Sequence, residues 1–114
     1  MEPMDCLVIY VPTAAAHAVR QAIGDAGAGR LGNYSHCSFS AEGTGRFTPL
    51  EGANPAIGTI SSPAEVPETR IEAIYPRSRR DAVVGAARSA HPYETPAFMT
   101  VPVDGSLPDE TGPL

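Results

Sequence analysis

Asp5-Cys6-Leu7-Val8-Ile9-Tyr10-Val11 is apolar on both alternating faces, with Leu7, Ile9 and Val11 on one and Cys6, Val8 and Tyr10 on the other. A strand of that kind belongs in the middle of a sheet with both faces covered. Pro12 ends it, Thr13 is the expected N-cap, and Ala15, Val19, Ala22, Ile23 and Ala26 then fall on one helical stripe that stops at Gly27 and Gly29. The same order recurs further on. Thr69, Ile71, Ala73 and Tyr75 alternate with Glu68, Arg70, Glu72 and Ile74, so the spacing predicts a strand over Glu68–Tyr75. Ser78-x-x-Asp81 resembles a capping box, Val83, Val84, Ala87 and Ala90 form a second helical stripe that Pro92 stops, and a last strand is expected from Pro96 to Val103.

Between these halves the pattern predicts a strand from Asn33 to Ser40, a turn at Gly43-Thr44-Gly45, a short return strand at Arg46-Phe47-Thr48 and a long excursion from Pro49 to Pro67. Two strand–helix–strand halves with both helices on one face describe an α+β, ferredoxin-like sandwich. Residues 1–103 form the expected domain, and the acidic tail 104–114 is expected to be disordered. Helices on one side leave Cys6, Val8 and Tyr10 on the other, and an apolar strip there calls for a partner.

Composition narrows the function. The 114 residues suffice for one domain, and no apolar run is long enough for a bilayer-crossing helix. The net charge of −5, with all eight basic residues arginine, opposes a nucleic-acid partner. Two cysteines build no disulfide framework, and Glu2 and Asp5 stand where a secretory signal would be basic, so a reduced, cytoplasmic protein without membrane attachment is expected.

Gly27-Ala28-Gly29-Arg30-Leu31-Gly32 spells the dinucleotide fingerprint G-x-G-x-x-G, but it follows a helix and enters a strand. The dipole there has the wrong sign for phosphate, and the glycines read as a helix stop. His36 and Cys37 are metal-ligand types side by side. Neighbours on a strand point to opposite faces, so at most one joins any site, and Cys37, sharing a face with Phe39, reads as a small buried hydrophobe.

Gly32-Asn33-Tyr34, Cys37-Ser38-Phe39, Gly43-x-Gly45-x-Phe47-x-Pro49, Gly52-Ala53-x-Pro55-x-Ile57-Gly58, Glu68-x-Arg70-Ile71-Glu72 and Ala90-His91-Pro92-Tyr93-Glu94-x-Pro96-Ala97 resemble, in that order, one family. It is the PII-like (CutA-like) domain inserted in YqfO-type members of the NIF-three family, found also as a stand-alone protein. The resemblance covers residues 7–103. It implies a subunit that forms trimers by packing sheets around a three-fold axis. It carries over no metallohydrolase activity, because the family's two-metal site lies on a separate α/β domain.

Two clusters remain as candidate sites. With Pro92 bending the chain, His91 and Glu94 could converge on a divalent cation, joined by His36 or by a ligand from another subunit. Alternatively His91 only satisfies the end of the second helix. Similar His-Pro-Tyr-Glu segments occur in CutA-like proteins, whose relatives are linked to divalent metals. Arg77, Arg79 and Arg80 crowd the start of that helix, either pairing with acids such as Glu72 or, together with Tyr93, holding an anionic ligand at a subunit cleft, as PII-like proteins hold nucleotides. No H-E-x-x-H, G-x-S-x-G, P-loop or C-x-x-C is present. The expectation is a trimeric module that binds a small molecule or ion without being an enzyme. The alternatives are a divalent-metal binder, a small hydrolase, and a subunit that docks a protein through the 49–67 excursion.

Overall fold

The computed structural model describes residues 2–104. Four strands, β1 (Met4–Pro12), β2 (Phe39–Phe47), β3 (Ala64–Pro76) and β4 (Phe98–Val103), and two helices, α1 (Ala16–Asp25) and α2 (Arg80–Ala90), follow one another as β1-α1-β2-β3-α2-β4. The sheet is antiparallel throughout in the order β2-β3-β1-β4. β1 is central, as its two apolar faces require, and the architecture is the ferredoxin-like α+β sandwich. A single-turn 3₁₀ segment introduces each helix. No described helix is long and apolar enough to cross a membrane.

The core lies between one sheet face and the helices. Leu7, Ile9 and Val11 of β1 and Ile71, Ala73 and Tyr75 of β3 meet Ala16, Val19 and Ile23 of α1 and Val83 and Ala87 of α2, all buried. Removing each of the larger side chains from water contributes about 1.5–3 kcal/mol. On the opposite face, Cys6 stands between Ile74 and Val101, and Val8 between Glu72 and Met99. No described helix covers this side, and Phe39, Met99 and Val101 are 65%, 48% and 42% exposed.

α1 ends in a Schellman turn, as its glycines predict. Gly27 N–H donates to Gly24 O at 3.1 Å and Ala28 N–H to Ile23 O at 2.9 Å, with Gly27 at φ +111°.

The middle of the chain departs from the alternation read in it. Residues 33–38 are no strand, and of the expected 33–40 strand only Phe39 and Ser40 are extended, as the start of β2: Leu31 and Tyr34 bridge to each other, and His36 takes a left-handed φ of 59° that breaks the alternation. Cys37 is therefore half-buried in a connecting segment and not the buried hydrophobe expected, and Phe39, expected to share its face, is exposed. Gly43-Thr44-Gly45 does not turn. It runs through the interior of β2, pairing with Pro67, Glu68 and Val66 of β3. The Arg46–Thr48 return strand is absent because Arg46 and Phe47 finish β2 itself. The excursion is shorter than 49–67, since β3 begins at Ala64. Neither expected helix cap forms: Thr13 Oγ1 accepts from Thr69 Oγ1, Ser78 Oγ donates to Glu2, and no side chain caps α2. The tail from residue 105 lies outside the described residues.

Candidate functional site

The His-Pro-Tyr-Glu segment leaves α2 as its residue types dictate. Pro92 forces the preceding residue out of helical geometry, and His91 takes φ −81°, ψ 133° while its N–H still donates to Ala87 O. His91 is 6% exposed. Its Nε2 donates to the Tyr10 carbonyl at 2.7 Å and its Nδ1 accepts the Tyr93 N–H at 3.1 Å, so both ring nitrogens are engaged and the partners dictate a neutral ring protonated at Nε2. The histidine thereby fixes the exit of α2 to the end of β1, where Tyr10 N–H also donates to Ala97 O.

Tyr93 is then directed over the far end of the β2–β3 ribbon. Its hydroxyl donates to Glu68 Oε2 at 3.1 Å, and its ring meets Phe47 edge-on with centroids 5.6 Å apart. Burial, followed by the Glu68 carboxylate, pushes the Tyr93 phenol up to about 12. Gly45 makes this arrangement possible, because a Cβ there would collide with the Glu68 carboxyl. Glu94 Oε2 accepts the Asn54 N–H at 2.8 Å and so ties the 48–63 loop to the same segment. Together these elements enclose a hollow of about 520 Å³ walled by Tyr10, Phe47, Leu50, Ile57 and Tyr93, with Arg46, Glu68 and Glu94 as its charged groups.

The remaining candidates lie elsewhere. His36 sits beside the C-terminal end of α1, its Nε2 2.9 Å from Asp25 Oδ1 and its Nδ1 3.0 Å from Ser35 Oγ. Its bond, then that from Gln21, holds the Asp25 carboxyl below its ordinary value. Among the described residues, no three His, Cys, Asp or Glu side chains stand together as a metal-ligand set, and His36 is not brought to His91 and Glu94. Arg77 Nη2 pairs with Asp5 Oδ1 at 2.9 Å, while the Glu72 expected to meet these arginines pairs with Arg70. Arg80 approaches Asp81 at 3.8 Å. Arg79 lines a separate hollow of about 350 Å³ with Arg30 and Ser35. The arginines flank the Pro76 end of β3, and Tyr93 sits at Glu68, eight residues and roughly 25 Å away along the strand. Within one copy they share no site.

Sequence reasoning missed Glu68, Phe47 and Tyr10 as cleft residues. The alternation placed Glu68 and Tyr10 on the helix-free face, and that was the available signal. Cys6 and Cys37, both free thiols, line a third hollow of about 280 Å³, where burial and then Glu72 push the Cys6 thiol up.

No protein-family profile matches the chain. It is 45% identical over 111 residues to the GTP cyclohydrolase 1 type 2 homolog of Bacillus subtilis, an alignment covering 97% of this chain and 30% of that protein. It is 50% identical over 95 residues to the homolog of the same name from Mycobacterium tuberculosis, covering 83% of this chain and 25% of that one. Among solved structures, the Bacillus cereus protein related to NIF3 superposes with a TM-score of 0.79 at 47% identity, over 91% of this chain and 26% of that one. CutA from Archaeoglobus fulgidus gives 0.64 at 15% identity over 91% of this chain and 87% of its own, and Bacillus subtilis GlnK in complex with ATP gives 0.60 at 12% over 90% and 84%. These last two show the fold alone. The chain spans less than a third of the curated relatives it matches, and it is a homologue of that domain-length segment of the NIF3-related proteins, built on the fold of CutA and the PII protein GlnK.

Proposed function

We propose that the domain is a non-catalytic binding module in which three copies cover one another's helix-free sheet face and each carries a small-molecule cleft at Tyr93. The observation that carries this reading is the exposed strip of Phe39, Met99 and Val101 around Cys6, Val8 and Ile74, on a sheet whose other face is already closed by both helices. Exposed large apolar side chains of that kind, standing on the two edge strands of one sheet face, mark an interaction surface. CutA and GlnK build on the same sheet, and GlnK was solved holding ATP, which is compatible with a binding module on this fold. The hollow at Tyr93 supports the cleft, because it is apolar with a few convergent polar groups.

The activity in the names of the longer relatives belongs to whole proteins of which this chain matches a part, and the reading does not include it. The test is native mass spectrometry and sedimentation at micromolar concentration. The expected species has three times the 11.9 kDa chain mass, and Val101→Asp reduces it to one chain while the circular-dichroism spectrum is retained. A lone wild-type chain under those conditions overturns the reading.

A further inference from the structure

We infer that the hollow at Tyr93 takes a small organic cation, an amine carried on an apolar body. This rests on the reading of that hollow as the ligand cleft and adds the chemical class of its occupant. At about 520 Å³ it is larger than the two other hollows described, and its size suits a compact organic molecule more than a bare ion. Its walls are aromatic and aliphatic. Phe47 and Tyr93 meet edge to face, with Tyr10, Leu50 and Ile57 alongside. Aromatic walls attract an ammonium group through the negative face of the ring.

The charged groups point the same way. Among the described residues Arg46 is the one cation on the lining, and its Nε already pairs with Glu65 Oε1 at 3.1 Å. Glu68 and Glu94 each engage one oxygen, Glu68 with the Tyr93 hydroxyl and Glu94 with the Asn54 N–H, leaving the second oxygen of each for a ligand. Tyr93 is a phenol at neutral pH and donates a hydrogen bond to Glu68 Oε2. A phosphate or carboxylate entering the hollow would meet two carboxylates and a single guanidinium that already shares its Nε with Glu65. An ammonium meets complementary charge at one end and rings at the other. The opposed charge is what separates this site from a nucleotide cleft on the same fold.

The experiment compares three ligands of one shape, phenethylamine, phenethyl alcohol and phenylacetate, by isothermal titration and saturation-transfer NMR on the intact chain. The expected order is amine over alcohol by about fivefold, with no detectable phenylacetate, and Glu94→Gln weakens the amine by about threefold to fivefold. Glu94 is exposed and glutamine keeps an acceptor for Asn54, so this variant folds; Phe47→Ala is the second, removing a ring without touching charge, and it weakens amine and alcohol alike. Alcohol or phenylacetate binding as tightly as the amine, or amine binding indifferent to Glu94→Gln, overturns the cation and leaves the cleft. Binding of none of the three overturns the cleft itself, while the oligomer measurement stands apart from both.

Discussion

Arg77 Nη2 lies 2.9 Å from Oδ1 of Asp5, a carboxylate that is buried at the start of β1. The two are 72 residues apart in sequence, and the pair closes the end of the sheet where β1 and β3 meet. Hydrogen bonding to Asp5 raises the already high Arg77 value further, so the guanidinium is charged at every accessible pH. Arg77→Ala leaves Asp5 buried without its cation, the costly half of a broken pair. The expected result is a melting temperature several degrees below wild type, against little change for Arg80→Ala, read by thermal denaturation.

His91 is a structural bracket, and its replacement shows this. His91→Ala removes a donor to Tyr10 O and an acceptor for Tyr93 N–H at a buried position, which costs about 1–3 kcal/mol in chemical denaturation. Prolonged chelator treatment of the wild type leaves its melting temperature unchanged. A chelator-sensitive transition restored by one divalent ion would show instead that the histidine holds metal.

The end of α1 offers a backbone test. Gly27 has φ +111°, and a Cβ there would come within 3.1 Å of Arg79 Nε. Gly27→Ala is expected to destabilise by about 1–2 kcal/mol, measured by urea unfolding, because an L side chain is strained in that conformation. Gly43→Ala, on the exposed edge strand with nothing within 4 Å, is the control and shifts stability far less.

Alkaline pH acts through Tyr93. Its folded value is raised from 10.0 to about 12, so the folded state holds the phenolic proton more tightly than the unfolded chain does. The corresponding stability is full below about pH 10 and is lost as pH rises towards 12. Tyrosinate absorbance follows the titration, and Tyr93→Phe is expected to flatten the loss of stability across that interval.

What the residues disclosed and what they hid divide along range and face. Leu7, Ile9 and Val11 against Cys6, Val8 and Tyr10 place β1 centrally because burial on both faces leaves a plain mark, and from that strand the sandwich follows. The α1 stop was equally plain, since glycines at a helix end have one physical use. β2 was hidden because an edge strand with a bare face tolerates glycine, and Gly45 is present to admit the Glu68 carboxyl, a neighbour assigned only once the strands pair. The partner of Arg77 was hidden for the same reason. Asp5 reads in the sequence only as an acid near the start of the chain, and nothing local connects it to an arginine 72 residues on. Tyr93 and Glu94 were legible as a motif, whereas their companions Phe47, Tyr10 and Glu68 required the ribbon to be laid beside them.

β3 pairs with β1 only from Glu68 onward, while its first residues, Ala64–Pro67, pair with β2 alone. One continuous strand thus serves as a beam in the hydrophobic layer and, beyond the last rung shared with Pro12, as one arm of a two-stranded cantilever beside the cleft. Glu68 occupies the fulcrum. A molecule seated in the proposed cleft against Glu68 and Tyr93 would therefore bear on the residue at which the β2–β3 ribbon leaves the four-stranded part of the sheet.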